Sequence, residues 1–131
     1  MRVTPSARAI AISSLLVVVD QITKLLALQW VPVVRNTGVS FGAWQHIDTS
    51  LVAATVILVA MITVVRPKAS QVSELLIIAG GISNLIDRIL RGAVIDWIPG
   101  ILFHFNLADV MITMGVLWIF LSFSRTRTSS L

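Results

Sequence analysis

Four apolar stretches, at about residues 9–28, 50–65, 70–90 and 107–123, decide most of what this chain can become. A bilayer core is about 30 Å thick and takes a helix of about 20 largely apolar residues to cross. Inside it every backbone N–H and C=O must be satisfied within its own segment, so stretches of this kind form helices. The link between the third and fourth is so short that those two helices must run antiparallel. Two carboxylates sit at its ends: Asp96, in Val94-Ile-Asp96-Trp-Ile-Pro99, and Asp109, in Phe105-Asn106-Leu-Ala-Asp109, with twelve residues between them. The link therefore delivers both acids to one membrane face. A carboxylate at membrane depth is costly unless paired or wet, and by default marks a functional site. Neither acid has a Lys or Arg three or four residues away. Like charges in one dry site cannot both ionise, so such a pair shares a proton, one member serving as acid and the other as base. This is the acid–base chemistry of aspartic-type hydrolysis.

Composition points the same way. The chain is 56% hydrophobic and 12% charged, with a mean hydropathy of +0.94, where soluble domains are about a quarter charged. It has no cysteine, which excludes thiol nucleophiles, disulfides and thiolate metal sites. The net charge of +4 is not arranged as a basic stripe interleaved with aromatics, so nucleic acid is not the expected partner. The charge reads instead as topology. Four spans put both termini on one side, and Arg2, Arg8, Arg66, Lys68, Arg125 and Arg127 all fall there. The positive-inside bias makes that side cytoplasmic, and Asp96 and Asp109 then open toward the outer face.

Taken in order, the first span carries Asp20 and Lys24, four apart on one helical face, as an internal ion pair near its far end. The connection from Gln29 to Thr49 holds Pro32, Gly38, Gly42 and the β-prone Val31-Pro-Val-Val34, which predicts a short extended segment on the outer face with Trp30 and Trp44 as interfacial anchors. The second span is uniformly apolar apart from Thr55 and Thr63, and ends at Arg66-Pro67-Lys68. In the third, Gly80, Gly81, Asn84, Asp87, Arg88 and Arg91 recur at three- and four-residue spacing and form one small, polar face that must look into the bundle. Asp87 has Arg88 and Arg91 close by and Asp20 has Lys24, so these two acids are expected to be ionised structural partners. Asn84 and Asn106 are placed to donate amide hydrogen bonds to the other two acids or to a substrate carbonyl. The fold class is thus an all-α membrane protein, a four-transmembrane-helix bundle with a small extended or β segment on its outer face, and residues 1–131 form a single membrane domain.

Asp20-Gln-Ile-Thr-Lys24, Asn36-Thr-Gly38-Val-Ser-Phe41-Gly42, Gly80-Gly-Ile-Ser-Asn84-Leu-Ile-Asp87-Arg88, Val94-Ile-Asp96 and Phe105-Asn106-Leu-Ala-Asp109 resemble, in that order, the motif set of lipoprotein signal peptidase (signal peptidase II). The resemblance runs from the first span to the start of the fourth. It implies a multi-pass aspartic endopeptidase of the bacterial inner membrane that cuts prolipoprotein signal peptides just before a diacylglyceryl-modified cysteine. By motif match the catalytic pair falls on Asp96 and Asp109. Supporting or substrate-binding roles fall on Asp20, Lys24, Asn36, Gly38, Asn84, Asp87, Arg88 and Asn106. The mechanism implied has one aspartate activating water while the other polarises the scissile carbonyl and later protonates the amine. No metal or organic cofactor is required, the partners are the lipid-modified prolipoprotein and membrane lipid, and a monomer is expected. The outer segments are short for this family: eleven residues separate Lys24 from Asn36 and nine separate Asp96 from Asn106. Longer segments there usually form a β-cradle and a mobile flap.

Blander readings apply to some of these residues. Asp109 can be an early-turn carboxylate facing a helix dipole, and Asn84 and Asn106 interhelical glue. Gly80-Gly81 reads as close helix packing, because no strand precedes it to make a phosphate loop. His46 and His104 are too isolated to make a metal site. Two other functions fit a chain of this size: a small four-helix proton-coupled transporter, or a relative that binds lipoproteins without cutting them. A transporter calls for an acid near mid-span, whereas the acids here lie at span ends.

Overall fold

A computed structural model of the chain describes residues 7–37 and 71–128. Three helices carry it: α1 (Ala7–Trp30), α2 (Gln71–Arg91) and α3 (Leu107–Thr128). They correspond to the first, third and fourth apolar stretches. The second, at 50–65, lies outside the described residues, as do Gly38, Trp44, His46 and the Arg66-Pro67-Lys68 turn. Among the described helices α1 alone is long and apolar enough to cross a membrane by length and composition. Its 24 residues reach about 36 Å at 1.5 Å per residue. The apolar part of α3 is shorter, running from Leu107 to Ser122, and α2 carries Glu74, Asp87, Arg88 and Arg91.

Four short strands lie between and beside the helices: β1 (Val34–Asn36), β2 (Val94–Asp96), β3 (Ile98–Pro99) and β4 (His104–Phe105). An extended segment was expected after α1, and β1 is that segment. Its partner was not foreseen: β1 pairs antiparallel with β2, Val34 opposite Asp96 and Asn36 opposite Val94. Asp96 is therefore a strand residue and not a helix-end acid. A second antiparallel ribbon joins β3 to β4 in the register Ile98–Phe105 and Pro99–His104.

Local chemistry explains where α2 stops. Gly92 adopts φ 69°, a left-handed conformation that costs an L side chain but not glycine, and its N–H closes the helix on the Arg88 carbonyl at 3.1 Å. The chain then enters β2, which is buried along its whole length.

Small residues set the spacing of α2 and α3. A Cβ on Gly80 would lie 2.5 Å from the Ala108 carbonyl oxygen and 2.7 Å from Ile112 Cγ1. One on Gly115 would lie 2.5 Å from Ile77 Cγ1 and 2.8 Å from the Ser73 carbonyl oxygen. The two helices approach at backbone distance, as helices in membranes do where packing replaces the hydrophobic effect. Among the described residues Ala79, Ala108 and Met111 form a buried apolar cluster, with Leu16, Val17 and Leu76 packed on it, and Ile77, Val94 and Ile95 are buried besides. Much of the apolar surface faces outward instead, including Leu15, Ile22, Leu25 and Leu26 of α1 and Leu117, Phe120 and Leu121 of α3.

Candidate active site

The buried interior at the β-ribbon end of the helices is polar. Asp20, Lys24, Ser83, Asn84, Asp87, Asp96 and Asn106 are all buried there. Unpaired charges at such depth would be prohibitive, and the pairing is extensive. Lys24 Nζ lies 2.8 Å from Asp20 Oδ2 and 2.8 Å from Asp87 Oδ2. Arg91 pairs with the other oxygen of Asp87. Two acids and two bases thus compensate one another.

The expected helix 1 pair is present, but Lys24 does more than close it. Its ammonium also donates to Asn84 Oδ1 at 3.0 Å, which turns the amide nitrogen of Asn84 toward Asp109 Oδ1, 3.0 Å away. The cations at the Asp87 carboxylate are Lys24 and Arg91, whereas Arg88 donates to the Asn84 carbonyl at 3.2 Å. Asp87 Oδ2 also accepts the Ile95 N–H at 3.1 Å, fastening β2 to α2.

Asn106 links the two candidate acids. It is the N-cap of α3: its Oδ1 accepts the Asp109 N–H at 3.0 Å, while Asp109 Oδ2 accepts the Asn106 N–H at 3.1 Å. This is the reciprocal arrangement of a capping box. The same side chain donates from Nδ2 to Asp96 Oδ1 at 2.7 Å. Asp20 Oδ1 satisfies a further open donor of the helix start, the Ala108 N–H, at 2.8 Å, so an anion stands at the positive end of the α3 dipole. Asp96 Oδ2 receives Asn36 Nδ2 at 3.2 Å from β1, a diagonal neighbour on the same face of the ribbon.

Asp96 and Asp109 differ in surroundings. Asp96 is 3% exposed and Asp109 is half-buried. Burial first, and then the nearby Asp109 carboxylate, push the Asp96 carboxyl above its ordinary value of 3.8; hydrogen bonds from Asn106 and Asn36 and the charge of Lys24 offset part of that rise. Asp96 is thus the more deeply buried of two neighbouring carboxyl groups.

A model of the family Signal peptidase (SPase) II matches residues 12–125. The chain belongs to the signal peptidase II family. It is accordingly a peptidase, a hydrolase of the aspartic type, and a bacterial membrane protein. Family membership leaves no support for the transporter alternative. The chain is 30% identical over 130 residues to a lipoprotein signal peptidase of Brevibacillus brevis, covering 80% of this chain and 87% of that protein. It is 36% identical over 115 residues to one of Brucella ovis, covering 72% and 69%. It is also similar to a bacterial membrane enzyme solved by the in meso method at 2.3 Å resolution, with TM-score 0.81 and 25% identity over 96% of this chain and 93% of that one. A second, solved at 1.9 Å, gives 0.77 and 26% over 90% and 93%.

Of the ten residues the sequence singled out, Asp20, Lys24, Asn84, Asp87, Arg88, Asn106, Asp96, Asp109 and Asn36 belong to one connected network. The tenth, Gly38, lies outside the described residues. Two members of the network were not anticipated. Gln21 Nε2 donates to Ser83 Oγ at 2.9 Å, to the Ser83 carbonyl at 3.1 Å and to Asp87 Oδ1 at 3.0 Å, while its Oε1 accepts from Arg91 at 2.8 Å. Ser83 Oγ in turn donates to Asp20 Oδ2 at 2.6 Å. Ser83 lies four residues before Asp87, a spacing that was available as a signal; nothing local marks Gln21.

Proposed function

We propose that Asp96 and Asp109 are the catalytic dyad with which this chain, a lipoprotein signal peptidase, hydrolyses the bond that joins a signal peptide to its lipoprotein. The observation that carries the assignment is Asn106: one buried side chain is hydrogen-bonded to the carboxylate of Asp96 and to the backbone of Asp109, which holds the two acids in fixed relation.

In this reading Asp96 starts protonated and Asp109 ionised. Asp109 takes a proton from water, whose oxygen attacks the scissile carbonyl carbon, while Asp96 donates its proton to the carbonyl oxygen. The product is a neutral gem-diol. On collapse the gem-diol returns a proton to Asp96, the C–N bond breaks, and Asp109, rather than the carbonyl-polarising partner that the resemblance implies, gives the proton taken from water to the departing amine. Both acids end as they began. Asn84, its amide oriented by Lys24, holds Asp109 in place; Asn36 and Asn106 do the same for Asp96. Asp20, Lys24, Asp87 and Arg91 form the neutral ion cluster beneath.

The topology that fits is a single four-span membrane domain, with residues 50–65 as the remaining span, both termini cytoplasmic, and the dyad toward the outer face of the inner membrane. It acts as a monomer on a prolipoprotein whose cysteine carries a diacylglyceryl group. The test is cleavage of such a substrate by the purified protein in liposomes, comparing Asp96→Asn and Asp109→Asn with the parent. Each is expected to lose at least about 10²–10⁴-fold in rate, the usual worth of positioned proton transfer. Parental turnover by either variant refutes the dyad. Tight substrate binding by the parent chain with no turnover establishes instead a binding relative that does not cut.

A further inference from the structure

The β3–β4 ribbon ends in an apolar tip. Ile101 is 102% exposed, Leu102 82% and Phe103 59%, and no Asp, Glu, Lys or Arg lies between Asp96 and Asp109. The turn that presents them is closed by the Gly100 N–H donating to the Phe103 carbonyl at 3.1 Å. It is tight enough that a Cβ on Gly100 would sit 2.4 Å from that carbonyl oxygen and 3.3 Å from the Phe105 ring. Three large apolar side chains are therefore held outward by a defined turn. Exposed apolar clusters on an ordered scaffold mark interaction surfaces.

We propose that Ile101, Leu102 and Phe103 insert into the outer leaflet and fix the height of the Asp96 region above the hydrocarbon. Continuity selects lipid as the partner. The helix ends that lead to the ribbons expose Leu26 and Trp30 on α1, Ile89 and Leu90 on α2, and Val110 on α3. In a chain whose α1 crosses the bilayer, that belt faces acyl chains up to the headgroup level, where Trp is favoured. The tip is carried by the ribbon that joins two of those helix ends, the close of α2 and the start of α3. A protein partner fits less well, because stable protein interfaces bury about 800 Å² on each side and three side chains on one turn fall short of that. The absence of charge on the tip also removes the means by which a rim sets partner orientation.

Depth matters here because the strands transmit it. β3 follows Asp96 after a single residue, β4 precedes Asn106 directly, and the Trp97 N–H bonds the Phe105 carbonyl at 3.1 Å. Seating the tip in the leaflet holds the base of the ribbon, and Asp96 with it, at the lipid–water boundary. The proposal concerns where the hairpin sits, and stands whether or not Asp96 and Asp109 form the catalytic pair.

The chain has no cysteine, so a single Cys is a unique labelling site. A nitroxide is attached to Leu102→Cys, and in a control to Arg35→Cys on the exposed face of β1, in the full chain reconstituted into phosphatidylcholine–phosphatidylglycerol liposomes. Collision with lipid-soluble oxygen and with a water-soluble nickel chelate is read by power saturation. The ratio of oxygen to nickel accessibility is expected to be several-fold higher at position 102 than at position 35, and Ile101→Cys must give the same result. Equal ratios at positions 102 and 35 would place the tip in water and overturn the proposal. Shielding of position 102 from both reagents would mean a protein cover, and overturns it equally.

Discussion

Replacing Asn106 by serine separates two jobs that one side chain performs. Serine caps a helix about as well as asparagine, so its oxygen can still accept the Asp109 N–H that Asn106 accepts at 3.0 Å. It is too short to replace the amide that reaches Asp96 Oδ1 at 2.7 Å. With Asp96 protonated the lost bond is one between neutral groups, worth about 1 kcal/mol, and removing the cap outright costs about 1 kcal/mol more. Asn106→Ser should therefore lose about 1 kcal/mol and Asn106→Ala about 2 kcal/mol, read as the ordering of their thermal unfolding in one detergent. The catalytic signature is in pH. The Asn106 donor favours the ionised form of Asp96 and lowers its pKa against the rise caused by burial and Asp109. Removing it lets the Asp96 carboxyl rise further. If Asp96 must hold a proton to donate it, activity is lost on the alkaline side as that proton leaves, so the alkaline limb of kcat/KM should move to higher pH in Asn106→Ser. Loosened geometry should also lower kcat by about 10²-fold, the cost typical of misplacing a reacting group by about 1 Å. Parental kcat with an unmoved alkaline limb would refute both the bridging role of Asn106 and the assignment of Asp96 as the acid.

The ion cluster and the helix contact give two further predictions. Lys24→Met keeps the bulk of the side chain but leaves Asp20 and Asp87 without the cation they share at 2.8 Å. Breaking a buried pair this way costs about 3–5 kcal/mol, so the variant should unfold at markedly lower temperature, and Lys24→Met combined with Asp20→Asn should recover part of the loss; failure of the double variant to do so would contradict the pairing. Gly80→Ala sets a methyl 2.5 Å from the Ala108 carbonyl oxygen, and overpacking of this kind costs about 1–3 kcal/mol. Because α3 must shift to relieve the clash, and Asp109 lies one residue beyond Ala108, activity should fall more than stability; an unchanged rate would show that the α2–α3 spacing does not set the position of Asp109.

Sequence by itself determined that the first, third and fourth apolar stretches become helix, since apolar runs of near-membrane length leave the backbone few other ways to satisfy its polar groups. It also brought Asp96 and Asp109 to one end of the molecule, because a twelve-residue link allows little else. The Asp20–Lys24 contact was legible for the same local reason: residues four apart share a helix face. Tertiary structure alone decided that Lys24 also serves Asp87 and Asn84, that Gln21 ties α1 to Arg91, and that Asp96 sits in a strand opposite Val34. Those contacts join α1 to α2 and β1 to β2 across roughly 60 to 70 residues of chain, a separation over which local spacing carries no register. Periodicity reports the face a side chain occupies, but the height at which one helix meets the next follows from packing, and at this site the hydrogen bonds depend on that height.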